Sequence, residues 1–229
     1  MTPSPSPSPS PAGPDLSGLT VAVLGGTGEQ GRGLARRLAL AGQRVVLGSR
    51  SADRAAEAAA GLPGQVSGLD NAGAAAAGDV VVVAVPWDGH RDLLVELSAA
   101  LAGKVVVDCV NPLGFDSRGA YALPVEEGSA AEQAQAVLPG SRVVAAFHHV
   151  SAVLLLDEAV DTLDTDVMVL GDDREATDLV QALVALVPGM RGVYAGRLRN
   201  AHQVEALTAN LISVNRRYKA HAGLRVTDV

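Results

Sequence analysis

The sequence predicts an α/β protein built on a doubly wound parallel β-sheet. Short apolar runs rich in β-branched residues alternate with segments in which apolar residues recur at helical spacing. The run DVVVVAV at 79–85 is apolar throughout, as expected of a central strand that is covered on both faces. These observations indicate a series of strand–helix–strand units.

The first unit sets the pattern. A strand at 19–24 leads into a glycine cluster, a helix at 30–41 follows, Gly42 ends that helix, and a second strand covers 44–47. Further predicted strands cover 65–69, 79–85, 104–108 and 142–147. Predicted helices cover 51–61, 88–101 and 129–138, and a short alanine segment covers 71–77.

The pattern changes after Ala152. It predicts a strand at 166–170, a helix at 173–186, a short strand at 190–194 and a final helix at 199–218. The apolar stripe of that final helix is either core or a subunit interface, and it comprises Val204, Leu207, Leu211 and Val214.

We therefore predict three parts in the chain. Residues 1–18 form a disordered tail, because alternating proline and serine cannot build regular structure. Residues 19–152 form a nucleotide-binding domain, and residues 153–229 form a small C-terminal α+β domain.

Composition excludes several classes of function. The net charge of −7 argues against general nucleic-acid binding, and no apolar run approaches the roughly 20 residues of a membrane span. The single cysteine, Cys109, excludes an intramolecular disulfide, so a cytoplasmic setting is expected. Residues 191–229 hold seven basic and two acidic residues, a surface that either aids solubility or receives a large anionic ligand.

The glycines form a dinucleotide fingerprint of the Rossmann type. Gly26 is expected to permit the tight turn after the strand, and Gly28 to let the backbone approach a pyrophosphate. Gly31 is expected to let the helix pack closely on the strand. The amides at the start of the helix would then face the phosphates.

The end of the second strand indicates which nucleotide binds. An NAD site usually has a carboxylate there, about 20 residues after the glycines. This chain instead has Ser49 and Arg50, with Arg54 one helical turn later. A hydroxyl and two guanidinium groups favour the 2′-phosphate of NADP, although the arginines could also be a solvated helix face.

Three other strand ends carry notable residues, since ligands of such sheets gather there. Trp87 packs either beside the nucleotide or in the core. The segment 108–113 is the second such end. At the third, His148 and His149 are consecutive in an extended segment and point opposite ways, so we expect no metal site. They lie either at the mouth of a substrate pocket or in structural hydrogen bonds.

Several segments together resemble the NADPH-dependent coenzyme F420 reductase family. They are GGTGEQGRGLARRLALAG, GSR with Arg54, AVPW, the NPL loop, GSAAE, FHHVSA and NAHQVEALT. The resemblance covers about residues 19–218. It implies a Rossmann domain with a small C-terminal domain, and a deazaflavin ring over the nicotinamide between them.

The resemblance also implies roles for individual residues. The residues implied at the pyrophosphate are Thr27, Gly28, Glu29 and Gln30. Those implied at the 2′-phosphate are Ser49, Arg50 and Arg54, and those around the nicotinamide are Trp87, Leu113 and Ala152. His148 is the side chain that we expect to contact the deazaflavin.

The expected reaction is direct hydride transfer between NADP(H) and coenzyme F420, in a homodimer joined through the C-terminal helices. No convincing general acid is present, which suits a carbon-to-carbon hydride step. Two alternatives stay open: an NADP-dependent reductase of an imine, a keto acid or a ferric chelate, and a non-catalytic NADP sensor.

Overall fold

The computed structural model describes residues 13–229, so most of the predicted Pro/Ser tail lies outside the described residues. The last residues of the predicted tail contact the folded part. Leu16 packs against the core, and its carbonyl accepts hydrogen bonds from the Leu19 amide and the Gln43 side chain, each at 3.3 Å.

Strands and helices alternate along most of the described chain. The strands are β1 (Thr20–Leu24), β2 (Arg44–Ser49), β3 (Val66–Asp70), β4 (Val80–Val83), β5 (Val105–Asp108), β6 (Leu113–Asp116), β7 (Gly119–Ala122), β8 (Arg142–Ala145), β9 (Thr165–Gly171) and β10 (Met190–Gly196). The helices are α1 (Glu29–Leu40), α2 (Ala52–Ala60), α3 (Asn71–Ala77), α4 (His90–Leu101), α5 (Ala130–Val137), α6 (Ala152–Leu156), α7 (Arg174–Ala185) and α8 (Ala201–Tyr218).

Eight of the strands form one sheet in the order β10-β9-β8-β5-β4-β1-β2-β3. All neighbours are parallel except β8 and β9, which run antiparallel. The predicted α/β class with a doubly wound, Rossmann-type sheet is confirmed. The sheet continues across residue 152 into β9 and β10, and the division there into two domains stays a prediction.

Alternate residues of β1 face opposite layers of the core. Val21 and Val23 pack on the side of α1, whereas Ala22 and Leu24 pack on the side of α3 and α4. All four are fully buried. Helices on both faces therefore explain why the central strands are apolar at every position. No helix within residues 13–229 is long and apolar enough to cross a membrane.

Three local features differ from the sequence-based expectation. The eighth strand ends at Ala145 instead of 147, because Phe147 has a left-handed φ of 63° and starts a turn. The hairpin of β6 and β7 was not predicted. The short helix α6 was not predicted either. Its N-cap is Ser151, whose hydroxyl accepts a hydrogen bond from the Leu154 amide.

Helices α1 and α6 are joined by close contacts. A Cβ added at Gly33 would lie 2.6 Å from the Cβ of Leu155. The buried Arg37 guanidinium donates hydrogen bonds to four carbonyls at and after α6, those of Leu154, Leu155, Asp157 and Val160, at 2.6–3.1 Å. Arg37 therefore fixes where α6 ends.

Replacing Arg37 with methionine should lower the free energy of unfolding by about 3 kcal/mol, because one buried and three partly buried carbonyls would lose their donor. Urea unfolding of the two proteins measures the difference. Arg217→Met removes an exposed guanidinium and is the control, with an expected change within about 0.5 kcal/mol. Equal stability of wild type and Arg37→Met would contradict this account.

Candidate functional site

The glycine loop joins β1 to α1. Gly25 has a φ of 76°, so Gly25, and not Gly26 as predicted, is the left-handed residue of the turn. Gly26 donates its amide to the Gly48 carbonyl at 3.0 Å, and a Cβ there would lie 2.9 Å from the Cβ of Leu47. At Gly31 a Cβ would lie 2.6 Å from the Gly25 carbonyl oxygen, so only glycine lets α1 come this close.

The N-terminus of α1 is open. Gly28 is its N-cap, and no side chain caps the helix. The nearest atom to a Cβ at Gly28 is the Gly25 carbonyl oxygen at 3.4 Å, so space lies in front of this turn. An uncapped helix terminus with free amides is suited to binding an anionic group.

Two cavities lie on either side of this loop. The loop–α2 cavity, of about 550 Å³, is lined by Thr27, Arg32, Arg36, Arg54, Glu57, Ala58, Gly61, Leu62, Leu156 and Glu158. The strand-end cavity, of about 300 Å³, is lined by Gln30, Ala84, Val85, Pro86, Trp87, Cys109, Val110, Asn111, His148, Val150 and Thr208. The loop thus separates a basic cavity from one formed at the ends of β4, β5 and β8.

The residues after β2 take different positions. Ser49 is buried at the strand end, and its hydroxyl oxygen accepts a hydrogen bond from the Ser51 amide at 3.4 Å. Ser51 caps α2 through the Arg54 amide, also at 3.4 Å, which places the Arg54 side chain at the loop–α2 cavity. Arg50 is exposed and does not line this cavity.

Two arginines of the loop–α2 cavity were missed in the sequence. Arg32 and Arg36 lie one helical turn apart on α1, so both reach the same side of the helix. The i, i+4 spacing of two arginines directly after the glycines is the signal in the sequence that points to them.

The strand-end cavity also contains Asn111, from the strand end at 108–113 that the sequence singles out, and Thr208, which the sequence analysis did not assign to the site. The Asn111 amide donates to the His148 carbonyl at 2.8 Å, and the Thr208 hydroxyl donates to the same carbonyl at 3.1 Å. They hold the turn after β8 against α8. Two predicted nicotinamide residues, Leu113 and Ala152, are the first residues of β6 and α6 and do not line this cavity.

The two consecutive histidines face different surroundings. His149 accepts the Met168 amide at 3.5 Å through Nε2, on the side of β9. Both ring nitrogens of His148 are buried without a partner in the part of the chain that is described. Burial lowers the pKa of each imidazole to about 4, so both are neutral at pH 7.

A network of buried polar side chains lies next to the strand-end cavity. His90 Nε2 lies 2.7 Å from an Asp108 carboxylate oxygen, and His90 Nδ1 lies 3.1 Å from Gln133 Oε1. The Gln133 amide nitrogen donates to Glu127 at 3.0 Å, so Gln133 offers His90 its oxygen. Burial opposes the charge, but Asp108 and Gln133 outweigh it and raise the pKa of His90. The His90 ring lies 5.6 Å from that of Trp87.

Helix α8 is anchored by a buried carboxylate. Glu205 accepts hydrogen bonds from the Ala130 and Ala131 amides, at 2.9 and 3.1 Å, at the start of α5. Burial raises the pKa of Glu205 to about 7. Thr208 lies one turn further along α8, so this contact fixes its position at the cavity.

The basic residues near the C-terminus do not form one free surface. Arg191 and Arg225 both pair with the buried Asp166 at 2.7 Å, and Arg197 pairs with Asp172 at 3.5 Å. Within residues 13–229, the basic residues of this region that have no ion pair are Arg199, Arg216, Arg217 and Lys219.

Comparison with known proteins identifies the family. Residues 20–112 match the family described as NADP oxidoreductase coenzyme F420-dependent. The F420-dependent NADP reductase of Methanothermobacter marburgensis is 38% identical, over 92% of this chain and 99% of that protein. The chain belongs to the F420-dependent NADP reductase family.

Two further comparisons agree with this membership. The F420-dependent NADP reductase of Methanocaldococcus jannaschii is 35% identical over 92% of this chain and 99% of that protein. A crystal structure from Arthrobacter sp. FB24, of a protein assigned as an F420-dependent NADP reductase, has a TM-score of 0.77 and 27% identity. The match covers 92% of this chain and 100% of the Arthrobacter chain. The resemblance found in the sequence is confirmed.

The pH dependence of stability tests the buried state of His148. In the folded protein this imidazole stays neutral down to about pH 4, whereas in the unfolded chain it takes up a proton near pH 6.5. Wild type should therefore gain stability relative to His148→Gln as the pH rises from 4 to 6.5, by up to about 1.4 kcal/mol per pH unit.

Urea unfolding at half-unit pH steps measures this difference. Glu205, whose raised pKa acts in the opposite direction, is present in both proteins and cancels in the comparison. His202→Gln removes an exposed imidazole and should leave the wild-type profile unchanged. Parallel profiles for wild type and His148→Gln would show that His148 is not buried as described.

Proposed function

We propose that this chain catalyses hydride transfer between NADP(H) and the deazaflavin coenzyme F420. One observation carries the proposal: the uncapped N-terminus of α1 lies between a basic cavity and a cavity at the strand ends, in a member of this family. A dinucleotide laid across this loop would place its phosphorylated end in the first cavity and its reactive ring in the second.

The glycine loop fits the pyrophosphate. The backbone at Gly28 is open, and the amides of the first turn of α1 have no side-chain cap. In this proposal Gly26, Thr27, Gly28, Glu29 and Gln30 hold the pyrophosphate, mainly through backbone amides and the helix dipole.

The 2′-phosphate is assigned to the basic end of the site. Ser49, Arg50 and Arg54 are its proposed ligands, and Arg54 already lies with Thr27 at one cavity. The part of the chain described offers no ion pair to Arg50 or Arg54. Both guanidinium groups are therefore available for charge-assisted hydrogen bonds to a dianion.

The strand-end cavity fits a flat ring with polar substituents. Trp87 forms one wall, and the buried, unpartnered nitrogens of His148 offer hydrogen bonds at another. When bound, NADPH and F420 supply the chemistry themselves, a hydride passing from nicotinamide C4 to deazaflavin C5. Leu113 and Ala152 remain proposed contacts of the nicotinamide region.

The protein contributes alignment and exclusion of water. Asn111 and Thr208 hold the His148 turn, and the His90–Asp108 pair holds the end of β5. Neutral His148 can orient a ring by a hydrogen bond without adding charge. Such positioning accounts for catalysis in a reaction that needs no general acid.

We also propose a cytoplasmic homodimer. Val214 and Tyr218 at the end of α8 are exposed, at 36% and 73%, whereas Val204 and Leu211 of the same stripe are buried. An apolar helix end of this kind is suited to a subunit contact. Cys109 is a free, buried thiol, which agrees with a reducing compartment.

The reaction is tested by mixing the purified protein with NADPH and F420 and following the deazaflavin absorbance. We expect bleaching that depends on both cofactors. Reduction of a small imine, a keto acid or a ferric chelate without F420 would favour the second reductase hypothesis. Binding of NADP without turnover of any acceptor would favour the sensor hypothesis.

The nucleotide assignment is tested with Arg50→Ala/Arg54→Ala. Loss of two charge-assisted bonds should weaken NADPH binding by about 100-fold, while NADH binding should change little. Fluorescence titration measures both affinities. Arg216→Ala/Arg217→Ala is the matched control and should bind both nucleotides as wild type does. Equal losses for NADPH and NADH would contradict the 2′-phosphate assignment.

A further inference from the structure

The loop–α2 cavity has more positive charge at its wall than the proposed 2′-phosphate ligands account for. Arg32 and Arg36 face it from α1, opposite Arg54 on α2. Within residues 13–229 neither side chain makes a hydrogen bond or an ion pair, and Arg32 Nε and Arg36 Nη1 are buried without a partner. Two like charges one turn apart repel each other, so their arrangement calls for an anion.

The acidic residues of the same cavity do not supply that anion. Glu57 and Glu158 also line it, but neither carboxylate lies within 4.0 Å of Arg32, Arg36 or Arg54 in the described chain. The three guanidinium groups therefore outnumber the two carboxylates. A dianionic phosphate would give the guanidinium groups the acceptors that they lack.

We infer that Arg32 is a specificity-determining residue of this cavity and binds the 2′-phosphate of NADP(H) from the side of α1. This inference rests on the proposed function. Arg32 lies on the first turn and a half of α1, on the same cavity wall as Thr27 of the glycine loop. Arg36 lies one turn further from that loop and adds positive charge without direct contact.

The test measures binding of 2′,5′-ADP and 5′-AMP to the full chain by calorimetry, since the two ligands differ only in the 2′-phosphate. In Arg32→Gln we expect the affinity for 2′,5′-ADP to fall by about ten-fold or more, from the loss of a bond to a charged group, with 5′-AMP binding kept. Arg32→Lys should recover part of the loss. Arg36→Gln is the matched control, with a loss of about three-fold or less that added salt removes.

The outcomes distinguish a failure of the NADP assignment from a failure of the role inferred for Arg32. If wild type does not prefer 2′,5′-ADP over 5′-AMP, the NADP assignment fails, and this inference fails with it. If wild type has the preference and Arg32→Gln keeps it, only the inference is overturned. Unchanged 5′-AMP binding shows that each variant is folded.

A free phosphate could also be the anion, and a further titration distinguishes the two sources. Inorganic phosphate is added to wild type already saturated with 2′,5′-ADP. No additional binding is expected, because the 2′-phosphate fills the site. Binding that is still present here and is lost in Arg32→Gln would mean that Arg32 serves a second anion, and would overturn the assignment.

Discussion

The site depends on how closely α1 approaches the end of β1. The Gly31 backbone meets the Gly25 carbonyl at a distance that leaves no room for a Cβ, which would lie 2.6 Å from that oxygen. Gly33 meets Leu155 in the same way on the other side of the helix. Glycine alone allows both contacts. The N-terminus of α1 is therefore held at the carboxyl end of the central strand β1, with one cavity on each side of it.

Buried polar groups then fix the segments around this helix end. Arg37 holds the end of α6, Glu205 holds α8 on the start of α5, and the His90–Asp108 pair holds the end of β5. Each of these groups is buried, so each needs its partners, and losing one partner would leave a costly unpaired group. The loops at the strand ends are therefore held by directional bonds as well as by apolar packing.

Sequence patterns were sufficient for the sheet, the glycine loop and the family. They were insufficient where distant segments meet. Asn111 and Thr208 share one carbonyl although they are 97 residues apart, and no periodicity reports such a contact. The hairpin of β6 and β7 was missed because its strands, LGFD and GAYA, contain glycine and no continuous apolar run, unlike the equally short β4 and β5. Gly26 was assigned the turn because the fingerprint begins there, while the left-handed residue is one position earlier.

The strand-end cavity and the loop–α2 cavity differ in how their charged groups are paired. Beside the strand-end cavity Asp108 is paired with His90, whose pKa the pairing raises, and burial keeps His148 neutral, so a reactive ring would meet no unpaired charge from these groups. At the loop–α2 cavity the guanidinium groups have no such balance in the described chain. Uncompensated charge is costly without a ligand and favourable with an anionic one, whereas a balanced pocket favours a neutral aromatic ring. The same nucleotide could then be oriented by charge alone, with its phosphorylated end directed away from the ring that reacts.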